Sequence, residues 1–204
     1  MATSIKLKPL NIQEIRFTIV GTSPLIQHAW SPKAMRQLRM TAPERKKQPK
    51  VARDPQAEAQ GAMYSINGKP AFPLLAFKAS LINAAHKDLG IEKTLVKKSF
   101  FIPASNAERL VEMQCSDPVV REDIVRVGMA QTDIRYRPEF AEWRVNVTAH
   151  FDADNLTDGD IINLVNRAGF GVGVGEWRPE KGGEFGRFTI DTTVPVETRK
   201  LENY

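Results

Sequence analysis

Trp143-Arg144-Val145-Asn146-Val147-Thr148-Ala149-His150-Phe151-Asp152 alternates apolar and polar residues from end to end. Trp143, Val145, Val147, Ala149 and Phe151 share one face of an extended chain, and Arg144, Asn146, Thr148, His150 and Asp152 share the other. This predicts a strand with one side on a core and the other toward water, a ligand or a neighbouring subunit. Just beyond it, Thr157 with Asp160 three residues later reads as a capping box. Ile161, Leu164, Val165 and Ala168 then recur at helical spacing until Gly169 closes the helix. A glycine-rich run leads on to Phe188-Thr189-Ile190-Asp191, a final alternating strand. Strand, helix, glycine loop and strand in that order define an α+β domain.

On the N-terminal side, Ile15 to Val20 alternates and is punctuated by Gly21-Thr22-Ser23-Pro24, giving a first strand that ends in a turn. Leu74, Phe77, Leu81, Ala85 and Leu89, widened by Ile82, predict a helix of about four turns between Pro73 and Gly90. Val111/Met113/Cys115 and Val125/Val127/Met129 predict two short strands with Ser116-Asp117-Pro118 between them, their pairing left open. Asn67-Gly68 predicts a hairpin turn. With 204 residues and 42% hydrophobic content, one core and one domain over 1–204 suffice. Residues 31–73 form a long insertion holding at most short elements, and the charged tail 195–204 is expected to be loose.

The chain carries a formal net charge of +5, but the distribution says more than the total. Between Ser31 and Arg53 stand Lys33, Arg36, Arg39, Arg45, Lys46, Lys47, Lys50 and Arg53 against the lone Glu44. A slightly acidic body bearing one basic segment is the pattern of an anion-binding arm on a neutral scaffold, or of a solvated loop. No apolar run approaches the ~20 residues of a membrane span, and the N-terminus lacks the apolar region of a secretory signal, so the cytoplasm is the expected compartment. The single cysteine, Cys115, shares a face with Val111 and Met113 and reads as a core residue.

Residues 169–188 concentrate seven of the 13 glycines. Glycine permits positive φ and close backbone approach, so Gly171, Gly173 and Gly175 are expected to turn N–H groups toward a phosphate. Arg178, Lys181 and Arg187 supply cations at the same place, and Arg144 projects from the wet strand face. Trp177, Phe185 and Phe188 offer stacking surfaces for unpaired bases; alternatively the glycines only allow tight crossing of the sheet, with the aromatics inside. The glycines lie after a helix and before a strand, the reverse of a dinucleotide fingerprint, so no nucleotide cofactor is expected. His28, His86 and His150 have no metal-ligand spacing, so no metal is expected either.

The strand and helix order, the run Gly21-Thr22-Ser23-Pro24-Leu25-Ile26, the segment from Ala71-Phe72-Pro73 through Ala85, and the stretch from Gly171 to Phe188 together resemble the RAMP superfamily. Its members are RNA-recognition-motif-like proteins of CRISPR systems, and the likeness is greatest to the backbone subunits that polymerise along a guide RNA. The resemblance implies a ferredoxin-like antiparallel sheet with two helices and a long basic insertion. It also implies single-stranded nucleic-acid binding, RNA before DNA, and homo-oligomers or filaments alongside other effector subunits. The basic insertion becomes a finger-like grip, and the glycine loop lies on the strand backbone. Such subunits are generally longer, so the chain reads as a minimal relative, of the kind a phage or mobile element carries. Some superfamily members cut RNA with a histidine near the first helix, which would be His28 here. Nothing else in the sequence assembles around it, and no catalytic residue is expected. A virion or scaffold protein with a basic arm is the competing class; it has no need of glycines and aromatics together beside a strand.

Overall fold

A computed structural model describes residues 9–41, 43–44, 52–86, 90–128 and 131–202, and of residues 32, 33, 127 and 131 the backbone alone. The protein is a mixed α+β chain with antiparallel sheets. At its centre β1 (Ile12–Gly21) pairs with β10 (Trp143–Asp152), the strand that the alternation predicts. The register places Ile15 opposite Ala149, Phe17 opposite Val147 and Ile19 opposite Val145, all buried on one face. The same register sets Glu14 against His150, Arg16 against Thr148, Thr18 against Asn146 and Val20 against Arg144 on the other face.

The apolar face is covered by α3 (Leu74–Ala84) and α5 (Asp158–Gly171), which contribute Phe77, Leu81, Ile161, Leu164, Val165 and Ala168 to the core. The Thr157–Asp160 capping box forms as read: Asp160 N donates to Thr157 Oγ1 at 3.1 Å and Thr157 N to Asp160 Oδ2 at 2.9 Å. Burying these side chains at about 1.5–3 kcal/mol each, rather than helix propensity, holds both helices on the sheet. The large sheet runs β11 (Phe188–Ile190), β1, β10, β5 (Phe100–Phe101). A smaller sheet joins β2 (Leu25–Ile26) to the hairpin of β8 (Val119–Val127) and β9 (Gln131–Phe140). A third joins β3 (Ser65–Ile66), β4 (Lys69–Pro73) and β6 (Leu110–Glu112); its turn is Asn67-Gly68, both at positive φ. Within the insertion lie α1 (Pro32–Arg39) and α2 (Pro55–Gly61).

Three expectations are corrected, and the open pairing of the middle strands is resolved. The first long helix stops at Ala84, where Ala85 turns extended (ψ 131), and Leu89 lies outside the described residues. Gly169 is inside its helix; Gly173, at φ +70, takes the left-handed turn past the end. The two middle strands do not pair with each other. β6 joins β4, β7 (Gln114–Cys115) joins the Trp143 end of β10, and β8 pairs with β9, a strand not anticipated; Met129 lies outside the described residues. Lastly, the tail is not loose over Glu197–Lys200, which forms β12 along β1. Arg199 Nε donates to Glu14 at 2.8 Å and Arg16 adds a second contact at 2.8 Å, holding the Glu14 carboxyl below its usual pKa range. Cys115 is partly buried against the core, and burial pushes its thiol pKa up.

Candidate functional site

The glycine-rich loop is tied down along most of its length. Gly173 N donates to Ala168 O at 2.8 Å, Val174 N to Gly186 O at 2.9 Å, Glu176 N to Ile26 O at 3.0 Å and Gly186 N to Pro24 O at 2.7 Å. Arg187 N donates to Ser23 Oγ at 3.0 Å. A Cβ on Gly175 would stand 2.6 Å from Ile26 O, and one on Gly173 would stand 2.8 Å from Pro179 Cδ. These N–H groups therefore satisfy the protein's own carbonyls and the Ser23 hydroxyl, and the close approach at Gly175 serves packing of the loop on β2. The Gly173 N–H is thus used inside the protein, and the space a Cβ would need at Gly173 and Gly175 is filled by the protein's own atoms. Gly171, by contrast, faces open space.

Trp177 is the exception. It sits at φ +51, a region that bulky side chains rarely occupy, yet the residue is 44% exposed. Next to it, Glu176 lies 3.6 Å from Arg137 Nη2 and 4.0 Å from His28 Nδ1. Arg137, buried on β9, also reaches Asp123 at 3.3 Å and His28 Nδ1 at 3.4 Å. Arg121 on β8 pairs with Asp123 and Glu139, each at 2.8 Å, and its guanidinium lies 4.7 Å from the centre of the Phe185 ring. Two residues beyond His28, Trp30 is 66% exposed, whereas Trp143 is 2% exposed in the core. The chain thus leaves two of its three tryptophans at the surface, each within two residues of the His28–Glu176 contact.

Burial, then the charges of Arg137 and Arg135, pull the His28 pKa below its ordinary value against the opposing pull of Glu176. Tyr64 is pushed up by burial and by Glu176. Since the fold favours neutral His28, the stability it confers is full above its unfolded pKa of about 6.5 and is lost as pH falls through the lower folded value. Melting curves from about pH 7.5 to pH 5 are expected to fall more steeply for the parent than for His28→Gln; parallel curves would contradict this.

The other residues singled out by the sequence divide clearly. Arg36 and Arg39 lie exposed on α1, which also carries Lys33. Arg45, Lys46, Lys47 and Lys50 lie outside the described residues. Arg53 is folded back onto the β8–β9 hairpin, bound to Glu58 and Asp133 and donating to Ile134 O at 2.7 Å, so it acts as a tie between α2 and β9. Arg178 is held by Glu180 at 2.7 Å and donates to Gly175 O at 3.1 Å; Lys181 is exposed. Arg187 is half-buried. Arg144 pairs with Asp191 on the polar sheet face. The face bearing Arg144, Asn146, Thr148 and His150 is opposite the one that α3 and α5 cover. Trp30, Arg121, Arg137 and Glu176 were not anticipated. Their one sequence signal is the Arg135-Tyr136-Arg137 run, which supplies the buried cation. Among the described residues no group of three or more His, Cys, Asp or Glu is placed to hold a metal, and no helix is long and apolar enough to cross a membrane.

No family model matches the chain, and no curated protein matches it. Among solved structures it is similar to a chain of "Cryo-EM structure of the Type III-B Cmr-beta bound to cognate target RNA", at 12% identity and a TM-score of 0.45. The alignment covers 93% of this chain and 61% of that one, so this chain spans about three-fifths of its length.

Proposed function

We propose that the protein is a non-enzymatic single-strand-binding subunit, taking RNA in preference to DNA, that assembles along the strand in the cytoplasm. The observation that carries this is Trp177: a large aromatic residue left 44% exposed at φ +51, next in sequence to the Glu176 that reaches Arg137 and His28, on a loop whose other hydrogen bonds are internal. Strain at a bulky, partly exposed residue points to function, and a flat exposed ring suits stacking on an unpaired base. Trp30 offers a second ring at the entrance to the basic insertion. The finer reading is a RAMP-like domain of ferredoxin-like form, supported by the sequence resemblance and by the β11–β1–β10–β5 order around α3 and α5.

The test is direct. Protein purified at moderate salt is treated separately with ribonuclease and deoxyribonuclease, and labelled oligouridylate and oligothymidylate are titrated against it. Copurifying ribonuclease-sensitive nucleic acid and tighter oligouridylate binding, with the RNA recovered intact, are expected. Binding to neither strand, or cleavage of the RNA, would overturn the reading. Replacing Arg45, Lys46, Lys47 and Lys50 by alanine is expected to weaken binding several-fold. It should also flatten the log–log salt slope by about 0.7 for each phosphate no longer neutralised. An unchanged slope would remove the basic insertion from the interface.

A further inference from the structure

Away from the tryptophans, the far end of the same sheet carries an aromatic and basic cluster that the glycine loop does not touch. Phe101, on the two-residue edge strand β5, is paired in register with His150 and is 51% exposed on the polar side of the sheet. Lys78 reaches from α3 to place its ammonium 4.0 Å from the centre of the Phe101 ring and donates to Lys97 O at 3.3 Å. Lys97 and Lys98 close α4 (Lys93–Ser99) and are exposed, as is Lys93 at its start. The acids on the adjoining elements leave the cluster cationic. Glu14 is held by Arg16 and Arg199, and Asp152 accepts from Asp154 N and Asn155 Nδ2. Glu92 stands at the opposite end of α4.

Lysines at a helix C-terminus are accounted for by the helix dipole alone. An exposed phenylalanine capped on one side by an ammonium is not. The ammonium of Lys78 sits 4.0 Å from the ring centre, within cation–π range, and burial lowers its pKa. A ring polarised in this way offers its other face to a flat, electron-rich partner, and the surrounding lysines favour a polyanion.

Resting on the proposed single-strand function, we propose that Phe101, with Lys78, Lys97 and Lys98, is a second contact for the same nucleic-acid strand. It stacks one base and neutralises the neighbouring phosphates. His150 and Trp143 mark the two ends: the Trp143 ring donates to Ser23 O, beside the glycine loop, and His150 pairs with Phe101. Seven strand residues separate them by ~20 Å, so only a strand longer than a few nucleotides can reach both contacts.

The experiment therefore varies strand length. Phe101→Ala is expected to weaken binding of a ~20-nucleotide oligouridylate by ~5–10-fold and to leave a ~5-nucleotide one unchanged, whereas Trp177→Ala weakens both. Lys78→Met, which keeps the stem and removes the charge, is expected to give an intermediate loss on the long strand. If Phe101→Ala binds the long strand like the parent while Trp177→Ala does not, the second contact is wrong and the main reading stands. If the parent binds neither length, both fall. Sedimentation of the parent and Phe101→Ala without nucleic acid supplies the remaining outcome: self-association abolished in the variant, with strand affinity intact, would make the cluster a protein interface and overturn the proposal.

Discussion

Gly186→Ala is expected to lower the melting temperature by ~10 °C or more, while Gly171→Ala leaves it unchanged or raises it slightly. Both glycines sit in the same rich stretch, but their surroundings are opposite. Gly186 adopts φ +64, and a Cβ there would overlap the Val174 carbonyl oxygen. Its own carbonyl accepts from Val174 N and its N–H donates to Pro24 O, so relaxing the clash breaks the contacts that close the loop on β2. Left-handed backbone costs about 1–2 kcal/mol for a residue with a Cβ, and displacing backbone in a buried turn adds about as much again or more. Some 4 kcal/mol in a chain of this size corresponds to the predicted shift, at about 2–4 °C per kcal/mol. Gly171, at the last turn of α5, has nothing within 4 Å of its Cβ position. An alanine there gains helix propensity worth about 0.5–1 kcal/mol. Thermal unfolding by circular dichroism checks both; equal melting temperatures would show that the loop is not built on Gly186.

That contrast also shows where sequence reading reached its limit. The alternation from Trp143 to Asp152, the capping box at Thr157 and the Asn67-Gly68 turn are encoded within a few neighbouring residues, and each forms as read. Glycine density is a different kind of signal. It reports that backbones approach closely, and the partners of Gly175 and Gly186 are Ile26 and Pro24, about 150 residues away in the chain. β9 went unread although Gln131, Asp133, Arg135, Arg137 and Glu139 alternate with Thr132, Ile134, Tyr136, Pro138 and Phe140, because the run is rich in charge and holds a proline. The proline carbonyl accepts from Gln27 N at 3.1 Å, extending the link between this strand and the chain after β2. One face of that strand is polar for a reason visible only in space: Arg137 threads between Asp123, His28 and Glu176 from three other elements. The basic insertion was legible as charge, but Arg53 shows that charge alone does not separate a ligand contact from an internal tie.

Trp177→Gly is expected to raise thermal stability slightly and to weaken single-strand binding by ~10–100-fold, the two effects moving in opposite directions. At φ +51 the tryptophan backbone is strained by about 1 kcal/mol, which glycine relieves. The residue is 44% exposed, so truncation forfeits only part of the packing of a buried tryptophan against that relief. Trp177→Ala keeps the strain and loses the ring; its stability should match the parent and its affinity should match the glycine variant. Trp177→Phe keeps a stacking face and should retain most of the affinity. Base–aromatic stacking at about 1–3 kcal/mol sets the size of the loss. A ring kept for packing would lose stability in both truncations, and a ring kept by chance would change neither property. A position whose relief from strain strengthens the fold and weakens the grip is one where stability has been exchanged for binding. If Trp177→Gly binds oligouridylate as tightly as the parent, that exchange does not occur, and the glycine loop is a structural clamp alone.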